Sequence, residues 1–332
     1  MASQDKSGAM RALVCENGAA RLRRDYPIAP RAAGEARIRV VQAGVCATDL
    51  QLIAGYKGFS GVLGHEFVGV VEEADNARWI GQRVVGGINR ACGQCAPCRR
   101  GDITHCAQRD VLGILGRDGA FADSCLLPEA NLHAVPDGVS DDQAVFAEPL
   151  AAALAITDQH PIAPGERVTV IGDGRLGLLI VQVLALTGCD LTLVGRHAEK
   201  LALGEQWGAR AGLASEPPVA RSQDVVVACS GEASGLALAQ SLVRPRGRII
   251  LKTTSAAQQG AAELDLNALV VDEVTLCGSR CGPMDAAVRL LAQGVIDVAP
   301  LISARFSLDQ GEAALTAAAR KGVLKVVLQM TC

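Results

Sequence analysis

Short apolar runs interrupted by glycine and proline fill the first part of the chain. Arg37–Val41, Val68–Val71 and Arg83–Val85 read as strands between loops, so the stretch from Ala12 to about Glu148 is predicted to be mostly β. After Pro149 the period changes. Apolar strands now alternate with helical stretches, in the order Arg167–Ile171, Leu176–Leu186, Leu191–Val194 and Ala198–Trp207, which is a βαβ unit. Asp224–Ala228, Ala233–Leu242, Arg248–Lys252 and Val274–Cys277 continue the alternation far enough for a six-stranded, doubly wound parallel sheet. A helix is expected near Asp285–Gln293, and the closing run Leu324–Met330 reads as a strand returning to the first domain.

A length of 332 residues is too much for one comfortable core, which makes two domains the expectation. Hydrophobic residues at 49% and charged residues at 20% give the balance of a globular chain able to bury a large core. With 32 basic against 35 acidic residues there is no positive surplus to follow a phosphate backbone or an anionic membrane surface, so nucleic acid and membrane are excluded as partners. Met1–Gly18 lacks the apolar centre of a signal peptide and no later run is long enough to span a bilayer, from which a cytoplasmic protein is expected. Because Met10 precedes the first strand-like run Ala12–Cys15, Met1–Ala9 reads as an extension or tail outside the fold.

Four of the twelve cysteines, Cys92, Cys95, Cys98 and Cys106, crowd into one short segment with Gly93, Pro97 and Gly101 between them. Four thiolates on a tight turn can enclose one tetrahedral zinc with no open position, which is a structural site. An iron–sulfur cluster, a redox pair or plain reduced cysteines are the alternatives for this spacing. Elsewhere, Cys46, Thr48 and Asp49, then His65 and Glu66, then Glu148 supply a thiolate, an imidazole and carboxylates. That mixed set suits a zinc that keeps a position for substrate. Each is a weak signal alone; their order along the chain strengthens it. A third element is Gly172, Gly174, Arg175, Leu176 and Gly177, a G-x-G-x-x-G between a strand and a helix, where a pyrophosphate can approach the backbone and the helix N-terminus. Asp173 inside this loop is an awkward neighbour for a diphosphate and is expected to point away, with Arg175 offsetting its charge. Cys15, Cys125, Cys189, Cys229, Cys277, Cys281 and Cys332 have no metal spacing and read as small buried residues.

Together these residues resemble the zinc-containing medium-chain dehydrogenase/reductase superfamily, alcohol dehydrogenase-like, over nearly the whole chain from Met10. Glu148-Pro149-Leu150 is similar to the polyol, glucose and threonine dehydrogenase branches. The resemblance implies an α/β protein with a mainly β, GroES-like catalytic domain over 1–148, to which 290–332 returns, and a Rossmann dinucleotide-binding domain over 149–289. It implies two zinc ions per chain, with Cys46, His65 and Glu66 on the catalytic one and Glu148 either binding directly or standing behind, the two glutamates being interchangeable at this stage. Thr48 would hand on the substrate proton and Asp49 would orient His65. At Gln51 the best-known members carry a histidine. Glutamine has no proton to exchange at neutral pH, so proton release is expected through cofactor hydroxyls and water.

Further cofactor contacts are implied at Ser230, Gly231, Ser279, Arg280 and Lys325. NADP is expected to be preferred over NAD. Gly195 stands where an NAD enzyme places an acid against the ribose 2′-hydroxyl, and Arg196, helped by His197 or Lys200, can pair with a 2′-phosphate. The expected reaction is hydride transfer between that cofactor and a small alcohol or polyol, or its aldehyde or ketone, in a homodimer or homotetramer. The rivals are an NAD-preferring polyol or threonine-type dehydrogenase and a zinc-stabilised, non-catalytic binding protein.

Overall fold

A computed structural model describes residues 8–253 and 264–330. Cys332 and residues 1–7 of the expected tail lie outside these. Ala9 does not belong to a tail: strand β1 (Ala9–Glu16) already pairs at Ala9 with Pro27 of β2 (Ala19–Pro27), so the fold begins before Ala12.

By its internal contacts the chain separates into two units, 1–148 with 287–332, and 149–286. The first unit is organised around the long strand β3 (Glu35–Val45), which is almost wholly buried. A short helix α1 (Ala47–Ile53) follows it, then β4 (Glu66–Glu73), β5 (Arg83–Gly86), β6 (Ser124–Pro128) and β7 (Leu132–Ala134). β3 pairs antiparallel with β4 and with β6, and β5 lies between β4 and β7. Apolar residues of these strands, among them Ile38, Val40, Phe67 and Leu127, form its core with Leu63 and Phe121 from the segments between them.

In the second unit the strands are β8 (Arg167–Ile171), β9 (Asp190–Gly195), β10 (Arg210–Leu213), β11 (Gln223–Ala228), β12 (Val243–Leu251) and β13 (Thr275–Gly278). They form one six-stranded sheet in the order β10-β9-β8-β11-β12-β13, every pair parallel. The order reverses between β8 and β11, which in an open parallel sheet marks the place where ligands bind. Helices α2 (Arg175–Ala185) and α3 (Ala198–Gln206) follow β8 and β9. The strand missing from the sequence reading is β10, whose Arg-Ala-Gly-Leu has no apolar run because it lies at the sheet edge and is mostly exposed.

The chain then returns to the first unit, whose sheet is completed by β14 (Ile302–Ser307) and β15 (Lys325–Gln329). β15 pairs antiparallel with β3, from Val326 opposite Val45 to Gln329 opposite Gln42. This register brings Lys325 next to the segment that carries Cys46. No helix among the described residues is long and apolar enough to cross a membrane.

Candidate active site and cofactor loop

Cys46 lies at the junction of β3 and α1, and His65 and Glu66 lie where β4 begins. The antiparallel pairing of Gly44 with Glu66 holds the two segments side by side. Sγ of Cys46, a ring nitrogen of His65 and a carboxylate oxygen of Glu66 lie within 4.8 Å of one another. Asp49, fully buried, ties the segments together: its Oδ2 accepts the Cys46 N–H at 2.8 Å and its Oδ1 accepts the Gly64 N–H at 3.2 Å. The same Oδ1 is 3.4 Å from His65 Nδ1, within ion-pair reach though without hydrogen-bond alignment. Burial alone pushes the His65 pKa down, but the Asp49 carboxylate outweighs it and holds the ring well above its ordinary value. A carboxylate behind the imidazole makes it a stronger base and a better metal ligand.

Glu66 is met by Lys325, whose Nζ bonds its Oε2 and sits 5.5 Å from the centre of the Phe146 ring. Both side chains are buried. Gly44 leaves room for the pair, since a Cβ there would come within 2.6 Å of Glu66 Oε2. Lys325, expected at the cofactor, thus has its amine on the Glu66 carboxylate, a partner that the sequence gives no means to find. With Cys46 as a thiolate and His65 neutral, as metal ligands must be, Cys46, Asp49 and Glu66 carry three negative charges against one positive charge on Lys325, a surplus that a divalent cation cancels. The donor set fits zinc. Thr48 Oγ1 is 3.7 Å from Cys46 Sγ, at the same junction. Glu148 stands outside the group of three ligand atoms.

The four cysteines of the lobe form a second group. Sγ–Sγ separations are 3.4 Å for Cys95–Cys98, 3.8 Å for Cys95–Cys106 and 4.0 Å for Cys92–Cys98. Zinc–sulfur bonds of about 2.3 Å at tetrahedral angles place sulfurs about 3.8 Å apart, so the thiols already have the spacing of a closed zinc site. The N–H groups of Cys92 and Gln108 point at Cys106 Sγ, and that of Gln94 at Cys92 Sγ. Donors of this kind stabilise thiolates: the N–H groups of Cys98 and Ala107 bring Cys95 down to about 6, whereas burial and neighbouring thiols push Cys98 up to about 12.

In the second unit the three loop glycines have different tasks. A Cβ on Gly177 would fall 1.9 Å from the Gly172 carbonyl oxygen, and one on Gly172, whose φ is +124°, would fall 2.9 Å from Ser230 N. These two let the loop close against α2 and β11. A Cβ on Gly174 would meet nothing within 4 Å, so the residue that caps α2 faces open space in which a diphosphate can approach the helix N-terminus. Arg175 and Leu176 form the first turn of α2. Ser230 and Gly231 follow β11, with Ser230 Oγ accepting the Glu232 N–H at 3.3 Å. Ser279 and Arg280 follow β13 and are bracketed by Lys252, whose Nζ donates to Ser279 Oγ at 3.0 Å and to the Arg280 carbonyl at 2.8 Å. Lys252 was not among the expected site residues, and nothing in its local sequence marks it out.

Gly195 ends β9 and Arg196 and His197 follow it, but the space beside Gly195 is filled. Asp173 reaches across from the glycine loop, and its Oδ2 accepts the N–H groups of Arg196 at 2.7 Å and His197 at 2.8 Å, with His197 Nδ1 at 2.9 Å. Arg196 donates to Glu232 Oε1 at 2.6 Å. Lys200 is buried in α3.

A mixed thiolate, imidazole and carboxylate set, on a chain that also builds a dinucleotide-type sheet, is that of a zinc-dependent dehydrogenase of the alcohol dehydrogenase kind. The chain belongs to the zinc-containing medium-chain dehydrogenase/reductase family: residues 32–137 match the alcohol dehydrogenase GroES-like domain and residues 176–293 the zinc-binding dehydrogenase domain. It is 31% identical to an L-threonine 3-dehydrogenase of Streptomyces coelicolor, over 97% of this chain and 100% of that one. Among solved structures it is similar to an alcohol dehydrogenase (rspB) of Escherichia coli CFT073 complexed with NADH, with a TM-score of 0.88 at 27% identity over 97% and 100% of the two chains. A protein of Sinorhizobium meliloti 1021, provisionally assigned as a zinc-binding dehydrogenase and bound to NADP, gives a TM-score of 0.86 at 29% identity over 97% and 99%.

Proposed function

We propose that the chain interconverts a small secondary alcohol or polyol and its carbonyl partner, with Cys46, His65 and Glu66 as ligands of a catalytic zinc, Glu148 in reserve behind them, and Cys92, Cys95, Cys98 and Cys106 holding a second, structural zinc. The observation that carries this reading is the convergence of Cys46, His65 and Glu66 within 4.8 Å. When bound, zinc polarises the substrate oxygen and the nicotinamide exchanges a hydride with the carbon bearing it. The chain's own residues set up that exchange. Asp49 fixes the backbone of Cys46 and Gly64 and backs the His65 ring; Lys325 neutralises Glu66; Thr48 offers a hydroxyl beside Cys46 through which the substrate proton passes. The glycine loop and α2 receive the diphosphate, and Ser230, Gly231, Ser279 and Arg280 border the same end of the sheet. The relative named for threonine oxidation supports a substrate with a secondary hydroxyl.

The expected preference for NADP rests on a vacancy at Gly195 and a free Arg196. Asp173 beside Gly195 and Glu232 on Arg196 weigh against both supports, and favour NAD. A dimer or tetramer belongs to the same reading, supported by the edge of β13, unpaired among the described residues, and by the exposed Val270 and Val271 just before it in the chain. The test is a screen of NAD and NADP against alcohols, polyols and aldehydes, with metal-replete and chelator-treated protein. Turnover that chelation abolishes is the expected result. No turnover with any pair, in protein carrying metal only at the four cysteines, would leave the binding-protein reading in its place.

A further inference from the structure

We propose that Asp173, a residue of the glycine loop, is the carboxylate that selects the cofactor, taking the part usually played by an acid at the end of the second strand and so favouring NAD(H) over NADP(H). This rests on reading the loop as a dinucleotide site. In that kind of site the strand-end acid binds the ribose 2′-hydroxyl and repels a 2′-phosphate. The strand end here is Gly195, which has no side chain to offer. A Cβ built on Gly195, however, would lie 2.5 Å from Asp173 Oδ2 and 2.6 Å from its Cβ and Cγ. The Asp173 carboxylate therefore occupies the volume in which a side chain at 195 would begin. The acid is present; it is delivered from the neighbouring strand's loop instead of from β9.

Its charge and orientation are fixed. The three bonds from Arg196 N, His197 N and His197 Nδ1 all reach Oδ2, and Oδ1 accepts none among the described residues, which leaves its lone pairs for a hydroxyl. Burial pushes the carboxyl upward, but these donors outweigh it and hold Asp173 below the ordinary carboxylate range. A phosphate brought to this strand end would meet a like charge. The guanidinium of Arg196, at the same strand end, is held by Glu232, which adds a second carboxylate, and the His197 ring is already engaged by Asp173 Oδ2. A ribose hydroxyl meets only an acceptor. The absence of a side chain at 195 follows from this arrangement, since any larger residue would collide with Asp173.

Binding of NAD and of NADP to the full-length, zinc-loaded protein is measured by calorimetry, which needs no substrate. The wild type is expected to bind NAD tighter by roughly ten- to a hundredfold, the worth of one charge-assisted contact. Asp173→Asn keeps the shape, removes the charge, and should narrow the ratio to about threefold or less, mainly by tightening NADP. Gly195→Asp alone should weaken both cofactors through collision, and the exchange Asp173→Ala with Gly195→Asp should restore the NAD preference by returning the acid to the strand. Equal or tighter NADP binding by the wild type overturns the proposal, as does an unchanged ratio in Asp173→Asn. Those outcomes leave the dehydrogenase reading standing, whereas failure of both cofactors to bind removes both.

Discussion

The two groups of candidate metal ligands in the first unit are built on opposite plans. The lobe takes all its ligands from one loop, between Cys92 and Cys106, and its short helical turns Ala96–Arg99 and Ile103–His105 bury no side chain. Its thiols are steadied by backbone N–H groups. The Cys46 centre takes ligands from two segments and its counter-charge from a residue 259 positions away, and His65, Glu66, Asp49 and Lys325 are all buried. A loop with no core needs an ion to order it, so its site is closed and local. A site meant for chemistry can draw on a core already formed. Its cost is buried charge, and each charged group must have its partner.

The largest effect should come from breaking the buried centre. Cys46→Ser or His65→Ala is expected to lower turnover by several orders of magnitude while cofactor binding, which depends on the other unit, persists. Steady-state rates beside a binding titration check this, and near-normal turnover would refute the role of the set. Lys325→Met comes next. It leaves Glu66 buried without its counter-charge, and the expected loss is about 3–5 kcal/mol in denaturant unfolding. Glu66→Gln combined with Lys325→Met should recover most of that loss. If the single change costs less than about 1 kcal/mol, the pair is not what secures this end of β15.

The comparison also explains what could be read from the sequence. The lobe was legible because all its ligands fall in one short stretch, so spacing alone carries the geometry. Cys46, His65 and Glu66 became legible only through their order, because Gly44 meets Glu66 by strand pairing and not by proximity in sequence. Lys325 could be seen as a charge near a strand end, but its partner could not, since nothing local links β15 to β4. Asp173 shows the same limit. The sequence predicts that Asp173 points away from a bound diphosphate, yet one dimension of sequence does not say that its carboxylate fills the space beside Gly195. A joint signal was available: a glycine where an acid is usual, and an acid in a loop where one is awkward.

Metal content sharpens the contrast further. Two zinc ions per chain are expected in protein purified without chelator. Changing Cys95 and Cys98 together to serine should remove one of them, since the ligands of the other lie elsewhere, and the fraction that folds should retain turnover. Elemental analysis reads this directly. Loss of both ions from that variant would mean that the local site and the core-built site are not independent.

The smallest effect concerns the thiols themselves. With metal stripped, Cys95, whose pKa is brought down to about 6 from 9.0 by the N–H groups of Cys98 and Ala107, is almost fully thiolate at pH 7. An ordinary thiol there is about one per cent ionised, so the thiolate fraction rises roughly a hundredfold. A less basic thiolate is also a poorer nucleophile. With a Brønsted coefficient of about 0.4–0.5, a drop of about three units costs roughly twentyfold in intrinsic reactivity, and the net advantage is about four- or fivefold. Alkylation followed by peptide mass spectrometry should therefore label Cys95 ahead of Cys98, whose thiol stands at about 12. The Cys95 rate should rise with pH up to about 6 to 7 and then level off, because the thiolate is the reactive form and is fully populated above its pKa. Equal labelling of the two would mean that the N–H donors disperse when the ion leaves, so that in the lobe the metal orders the loop, whereas around Cys46 the loop is ordered for the metal.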